Sequence, residues 1–375
     1  MGPDELHAWL RLLQTPLIGR GAARRLLAAL GSPQGVFQAP PDALRALVSA
    51  KPAAALSSAP SSELDSLVAT TTAWLNAGDA NTPRHVITLG DPHYPSSLLE
   101  TADPPLLLYA QGNIDLLRRF TTTLAIVGSR NPTPQGLDTA RLFAEQVSRA
   151  GLIVVSGLAL GIDAAAHEGA LSGAAPGHAA TIAVVGTGLD RVYPSRHLKL
   201  AHRIASQGLM LSEYPLGTSP LPPNFPQRNR IIAGLARATM VVEAALLSGS
   251  LITAKQAMEA GRDVLAIPGS IHSPLSRGCH MLIKQGAKLV DSAQDVLEEF
   301  GQFTTSKIAP GTGGTSEKLE HLLLDALGYD PVGLDALSAR TGMSAAELSG
   351  ALLELELDGH VSRLPGQLFQ RCEQA

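Results

Sequence analysis

The chain has 375 residues, a formal net charge of -4, and 45% hydrophobic against 4% aromatic residues. That length accommodates two or three domains, and the apolar fraction supplies a real core, which excludes global disorder. The acidic balance excludes a protein that coats duplex DNA or a membrane surface indiscriminately, so any nucleic-acid binding must come from a local basic site.

Two cysteines, Cys279 and Cys372, stand far apart and without metal-ligand spacing. That usage fits a reducing cytosol and argues against a metal site. No N-terminal basic-then-apolar stretch reads as a signal peptide. No apolar run approaches the roughly 20 residues of a membrane span. The expectation is a cytoplasmic protein with no membrane association.

In chain order, "LHAWLRLLQ" and "GAARRLLAALG" have helical apolar spacing and are joined by "TPLIGRG". Two short helices with a glycine-containing turn predict a small helical domain over 1–84, of helix-hairpin-helix or SAM-like type. Such a turn can offer backbone N–H groups to a phosphate, with Arg20, Arg24 and Arg25 nearby. A plain helical hairpin is the alternative. The Ala-, Ser- and Pro-rich stretch 52–62 reads as a joint.

From 85 to 303 a repeated pattern takes over: a short β-branched run, then Gly or Ser, then a helical stretch. The runs are "LAIVGSR", "LIVVSGLALG", "TIAVVGTGLD", "LMLSEYPLG", "TMVVEA", "DVLAIPGS" and "KLVDS". Continuous apolar strands alternating with helices predict a Rossmann-like α/β domain with a mostly parallel sheet and right-handed crossovers.

Residues 304–316 have the composition of a flexible linker. Beyond it, over 317–375, three helical stretches and a hairpin with Pro365-Gly366 at its tip predict a winged helix. Residues 301–375 hold five basic and ten acidic residues. The third helix carries Glu347, Glu354, Glu356 and Asp358 and no Lys or Arg, so phosphate would repel it. This module reads as a protein-contact or accessory domain; DNA reading would need the wing's Arg363 and Arg371 to suffice.

In open parallel sheets, ligands bind beyond the carboxyl ends of the strands. Small residues stand at nearly every such end, among them Gly128-Ser129-Arg130, Ser156-Gly157 and Ser248-Gly249-Ser250. Glycines permit close approach, and the helix starts that follow present free N–H groups to anions, which together predict an anion-binding rim. Glycine-rich βα turns are also ordinary. Gly186-Thr187-Gly188 begins like a dinucleotide fingerprint, but Arg191 takes the place of the third glycine, and no P-loop occurs. No cofactor is expected.

Arg130, Arg191, Arg196, Arg228 and Arg230 share this rim, and Phe225 and Asn229 lie among the last of them. Each arginine alone reads as a surface ion-pair partner; together they read as a phosphate track. A ring beside a basic track suits a single strand, because every base has a π-face. The other reading of Phe225 is a core residue held by Pro226. Asp163 and His167, one helical turn apart behind Ser156, could form an acid/base pair or two metal ligands, but no third ligand follows at suitable spacing, and an Asp-His pair that stiffens a helix is common. No catalytic residue is assigned.

Read in order, "AIVGSR", "SGLALGIDAAAH", "GTGLDRVYP", "SEYPLG", "FPQRNRIIAGL", "VVEAALLSGSLITA", "GRDVLAIPG" and "GCHMLIKQGAKLV" resemble the DNA-processing protein DprA family, also called Smf. The resemblance runs from Leu89 to Phe300, and the pairing of "SGLALGID" with "FPQRNRIIAGL" is highly specific. It implies a non-enzymatic protein that binds and protects single-stranded DNA and loads the RecA recombinase onto it, as in natural transformation. Carried over by motif, it implies strand contacts by Arg130 and Phe225, with Arg228, Asn229 and Arg230 behind the ring. Pro222 stands where relatives can carry a lysine, leaving Arg191, Arg196 or Lys199 to compensate. The resemblance further implies a homodimer, naming His280 and Leu289 in "GCHMLIKQGAKLV" as interface residues; ordinary core is the other reading of that helix. The competing enzyme reading is a nucleotide hydrolase of the lysine-decarboxylase-like type, whose "PGG-x-GT-x-x-E" turn is missing here. A duplex-DNA regulator acting through the winged helix is disfavoured by the acidic third helix.

Overall fold

The computed structural model describes residues 2–175, 178–179, 181–301, 323–324, 326–328 and 330–372. The linker expected over 304–316 and the start of the last domain lie outside the described residues.

Six helices open the chain: α1 (Pro3–Gln14), α2 (Arg20–Leu30), α3 (Pro33–Gln38), α4 (Pro41–Leu47), α5 (Ala50–Ser57) and α6 (Ser62–Asn76). Helices α1, α3 and α4 begin on a proline, whose missing N–H is no loss in a first turn. The stretch read as a joint is largely helix. Its alanines favour helix strongly, α5 buries Ala53 and Leu56, and Ser61 caps α6 by accepting from Leu64 N. Composition alone could not show that this small apolar face had a surface to pack on.

The α/β region has nine strands: β1 (Arg84–Thr88), β2 (Leu107–Gly112), β3 (Thr123–Val127), β4 (Ile153–Ser156), β5 (Thr181–Val184), β6 (Leu209–Ser212), β7 (Ala238–Val241), β8 (Asp263–Ala266) and β9 (Lys288–Leu289). Their order is β1-β2-β6-β5-β4-β3-β7-β8-β9. Strands β3 to β9 are parallel, as the seven apolar runs predict. The antiparallel pair β1–β2 extends one edge through β6 and follows from no sequence run. Helices α7 (Ser96–Leu99), α8 (Pro134–Arg149), α9 (Ile162–Gly173), α10 (Leu198–Gln207), α11 (Asn224–Leu235), α12 (Gly249–Glu259), α13 (Arg277–Lys284) and α14 (Ala293–Glu299) form the connections and cover the faces.

Strand order reverses at β3, which pairs with β4 on one side and β7 on the other. Connections leaving the two flanks in opposite directions open a crevice at that switch point. Here the protein fills it with its own carboxylate. Thr133 at the start of α8 donates its N–H to Glu243 Oε2 (2.9 Å) and its hydroxyl to Oε1 (2.6 Å). The helix end that could have faced a phosphate faces Glu243.

The N-terminal helices pack against the edge of the sheet. Leu6, Trp9 and Leu10 share one buried cluster with Val86, Leu107 and Tyr109 of the β1–β2 pair. At the other end, α15 (Leu334–Thr341) and α16 (Ala345–Leu357) pack on strands β10 (Val332–Gly333), β11 (Val361–Leu364) and β12 (Leu368–Arg371) as a winged helix. Ser344 and Glu347 form a capping box at the start of α16, which buries Leu348, Leu352 and Leu355.

Helices α8 and α9 approach to backbone contact, because a Cβ on Gly169 or Gly173 would collide with the carbonyls of Arg141 and Glu145. Gly169→Ala is therefore expected to force the pair apart and cost about 1–3 kcal/mol. A urea titration that returns the wild-type midpoint would show that the helices separate freely.

Candidate nucleic-acid interface

Helix α11 delivers the ring. Its first residue, Asn224, is buried and donates from Nδ2 to Gly186 O at 3.1 Å, while its own carbonyl accepts from Tyr214 Oη at 3.1 Å. Pinned on both sides, the first turn lays Phe225 against Gly186, where an added Cβ would meet the ring at 3.2 Å. Glycine at 186 is thus the seat of the aromatic, not a dinucleotide fingerprint.

Phe225 is half-buried, with one aromatic neighbour and one cation. Tyr193 lies 5.6 Å away between centroids at an interplanar angle of 36°, and the Arg130 guanidinium stands 5.5 Å from the Phe225 centroid. Both spacings are within the range of favourable aromatic and cation–π contact. Arg130 is exposed and Tyr193 is 50% exposed, so a tilted pair of rings beside a cation opens to solvent. A pocket of about 70 Å³ lies beneath it, lined by Gly157, Thr187, Phe225 and Arg228 among others. Thr187 Oγ1 is buried there without a hydrogen-bond partner among the described residues, a polar vacancy of the kind native folds rarely leave.

The remaining expected residues divide into two groups. Arg196 is exposed at the start of α10 and enters no ion pair among the described residues. Arg191 is half-exposed, paired with Asp190 at 2.7 Å and 3.4 Å from Ser219 Oγ. Gly128 is wedged against Ile162, and Ser129 turns the loop by accepting from Asn131 N at 3.1 Å. Ser248 caps α12 and bonds Ser250 at 2.6 Å; Asn229 reaches that helix start through Gly249 O at 3.4 Å. Ser250 is buried, and the others are exposed or half-exposed.

Three expected contacts are elsewhere, and the expectation of strand contact by their side chains is corrected. Ser156 is fully buried and its hydroxyl donates to Ile126 O at 2.7 Å. Arg228 is 3% exposed and lies under the rim, donating to Gly157 O at 2.5 Å, to Val184 O, and to Asn229 Oδ1 at 3.0 Å. Arg230 points away from the rim and pairs with Glu213 and, at 3.6 Å, with Asp103. Residues two apart on a helix point about 200° apart, so Arg228 and Arg230 could not share a track.

Arg228 holds the strand ends together. Gly157 leaves no room for a Cβ against its guanidinium, and Asp163 accepts from the N–H groups of Gly157 (3.1 Å) and Ala159 (3.2 Å). Burial lowers the Arg228 pKa to about 10, which Asp163 opposes, so the guanidinium stays charged at neutral pH. Burial raises the Asp163 pKa, while Arg228 and the two N–H donors act against the rise. His167 takes a separate partner. Thr181 Oγ1 gives its proton to Val154 O, so His167 Nδ1 must donate to it at 2.7 Å, and burial takes the ring pKa down to about 3. Asp163 and His167 are a loop anchor and a neutral core imidazole.

Tyr193 escaped the sequence reading. Its signal was present: an aromatic beside a proline, in an aromatic-poor chain, two residues from Arg191.

A helical N-terminal unit, a Rossmann-like domain with a basic and aromatic rim, and a winged helix define a three-part DNA-processing architecture. The chain belongs to the family described as DNA recombination-mediator protein A, whose model matches residues 85–301. The DprA winged helix domain matches residues 308–367. Protein Smf of Escherichia coli (strain K12) is 41% identical over 291 residues, spanning 75% of this chain and 76% of its own. The X-ray structure of DNA processing protein A from Streptococcus pneumoniae matches with a TM-score of 0.62 at 40% identity, covering 80% of this chain and 99% of that one. DNA processing protein A from Helicobacter pylori, solved for its single-stranded DNA binding mode, matches at TM-score 0.52 and 30% identity over 58% of this chain and 94% of its own.

Arg228→Met removes the charge that faces Asp163 and frees two buried carbonyls. The expected loss is about 3–5 kcal/mol of stability, the usual cost of breaking a buried charge pair. It would be read as a fall in denaturation midpoint without DNA; an unchanged midpoint would return Arg228 to the surface track.

Proposed function

We propose that the rim clasps single-stranded DNA, and that the bound strand is protected and passed to the RecA recombinase without chemistry on it. The observation that carries this reading is the tilted Tyr193–Phe225 pair with Arg130 over Phe225, open to solvent at the strand ends. Stacking rings beside cations suit unpaired bases, and no groove-reading helix stands at the rim. The Helicobacter pylori relative's single-stranded DNA binding mode supports it. Two copies would pair through the other end of the sheet, where Leu289 is 45% exposed on the edge strand β9 and His280 Nε2 donates to Gly269 O at 2.9 Å. Among the described residues no helix is long and apolar enough to cross a membrane, and a cytoplasmic site of action fits the partners proposed.

The test is a titration of single-stranded against duplex DNA over a salt series. Preference for the single strand is expected, with Phe225→Ala and Tyr193→Ala each costing on the order of 1–3 kcal/mol. Arg130→Ala should weaken all sequences alike and reduce the log–log salt slope by about 0.7. Equal affinity for duplex and single strand defeats the reading.

Leu289→Arg is expected to yield a monomer with a folded α/β domain, since it places a charge on the edge that two copies would share. Light scattering that still finds a dimer would move the interface elsewhere.

A further inference from the structure

We infer that the N-terminal helical domain positions the clasp through a strap, residues 213–219, that lies between the two. Its role rests on the single-strand reading of the rim, but its geometry does not. On the N-terminal side, Arg20 of α2 reaches Asp103 through Nε at 2.6 Å and Glu213 through Nη1 at 3.3 Å. The Glu213 side chain is 6% exposed and also pairs with Arg230 of α11, which is 11% exposed. Three residues on, Leu216 is buried in the same apolar cluster as Trp9 and Leu26. An ionic tie and an apolar tie thus fix one strap to one domain.

On its other side the strap holds the rim. Tyr214 Oη donates to the carbonyl of Asn224, the residue before the stacking ring. Gly217 N donates to Asp190 Oδ1 at 2.8 Å, and Gly188 N to Thr218 O at 3.1 Å, so the loop that carries Arg191 and Tyr193 is anchored to the strap. Both halves of the aromatic platform are therefore set by a segment whose far side belongs to the N-terminal domain. Among the described residues, Glu213 Oε1 and Arg230 Nε and Nη1 are buried without hydrogen-bond partners. A buried network so sparsely satisfied depends on each member, which makes Arg20 more than a surface cation.

Arg20 and Glu213 are accordingly positioning residues: neither side chain is on the platform. In hydrogen exchange without DNA, Arg20→Ala is expected to speed exchange at the amides of Gly188 and Gly217, leaving the central strands β3 and β4 protected. Its affinity for single-stranded DNA should fall about fivefold, a modest coupling between sites. The salt slope should not change, because no phosphate contact is lost. Arg20→Lys keeps a cation that can reach one carboxylate and should recover part of both effects. Glu213→Gln, which preserves shape and removes the charge, repeats the measurement should Arg20→Ala not fold.

Unchanged exchange at Gly188 and Gly217 overturns the coupling. Faster exchange there with full affinity overturns the positioning role, as does a slope that falls with the affinity. Failure of the wild-type protein to prefer single strands defeats the proposed function instead, and the exchange arm still decides whether the strap transmits.

Discussion

Burial of one arginine beneath the strand ends is the constraint from which the site follows. A guanidinium without water must spend its N–H groups on fixed acceptors, and Arg228 finds carbonyls of Gly157 and Val184. Those are the carboxyl ends of β4 and β5, so α11 is locked to the sheet there. Glycine at 157 is required because any side chain would occupy the guanidinium's space. With Arg228 fixed, Phe225 three residues earlier on the helix can only rise to the rim. An arginine expected on the phosphate track is the one that fixes the helix beneath the ring.

The same economy explains the switch-point crevice. An open helix start at α8 attracts an anion, and Glu243 supplies one from β7's exit loop. The crevice that a dinucleotide fold keeps for its cofactor is bridged, and the accessible polar surface shifts toward β4, β5 and α11. Arg130, exposed and free of carboxylate partners among the described residues, is left at the boundary. Rigidity of the platform matters for its chemistry. Stacking on a preset ring costs little ordering, whereas a mobile ring would lose part of the gain to its own entropy.

The sequence made the parallel sheet legible because its signal is local: β-branched runs with a glycine or serine after each strand. The winged helix was equally legible from three helical stretches and a Pro-Gly tip, and the acidic α16 with them. Less legible was the β1–β2 pair, whose place beside β6 is a pairing between distant segments with no periodic mark of its own. The stretch 52–62 misled because Ala, Ser and Pro are read as linker by composition, while α5 shows the same residues as a short helix with a packed face. Phe225 stood out by its scarcity and by arginines that the fold buries or pairs; Tyr193, whose ring lies 5.6 Å from it, was passed over, though an equal signal stood beside Arg191.

What the sequence by itself determined is therefore the order of elements and the glycine- and serine-rich turns at the strand ends, since each depends on spacing along a few neighbouring positions. Which arginines reach solvent was decided only by tertiary structure. Arg130, Arg228 and Arg230 read alike in one dimension, yet one lies over an aromatic ring, one beneath two carbonyls and one between carboxylates from other parts of the chain. A side chain's environment is set by segments that arrive from far along the chain, here Gly157 and Val184 for one residue and Asp103 and Glu213 for another. Burial converts a cation from ligand to scaffold, and burial is not a local property.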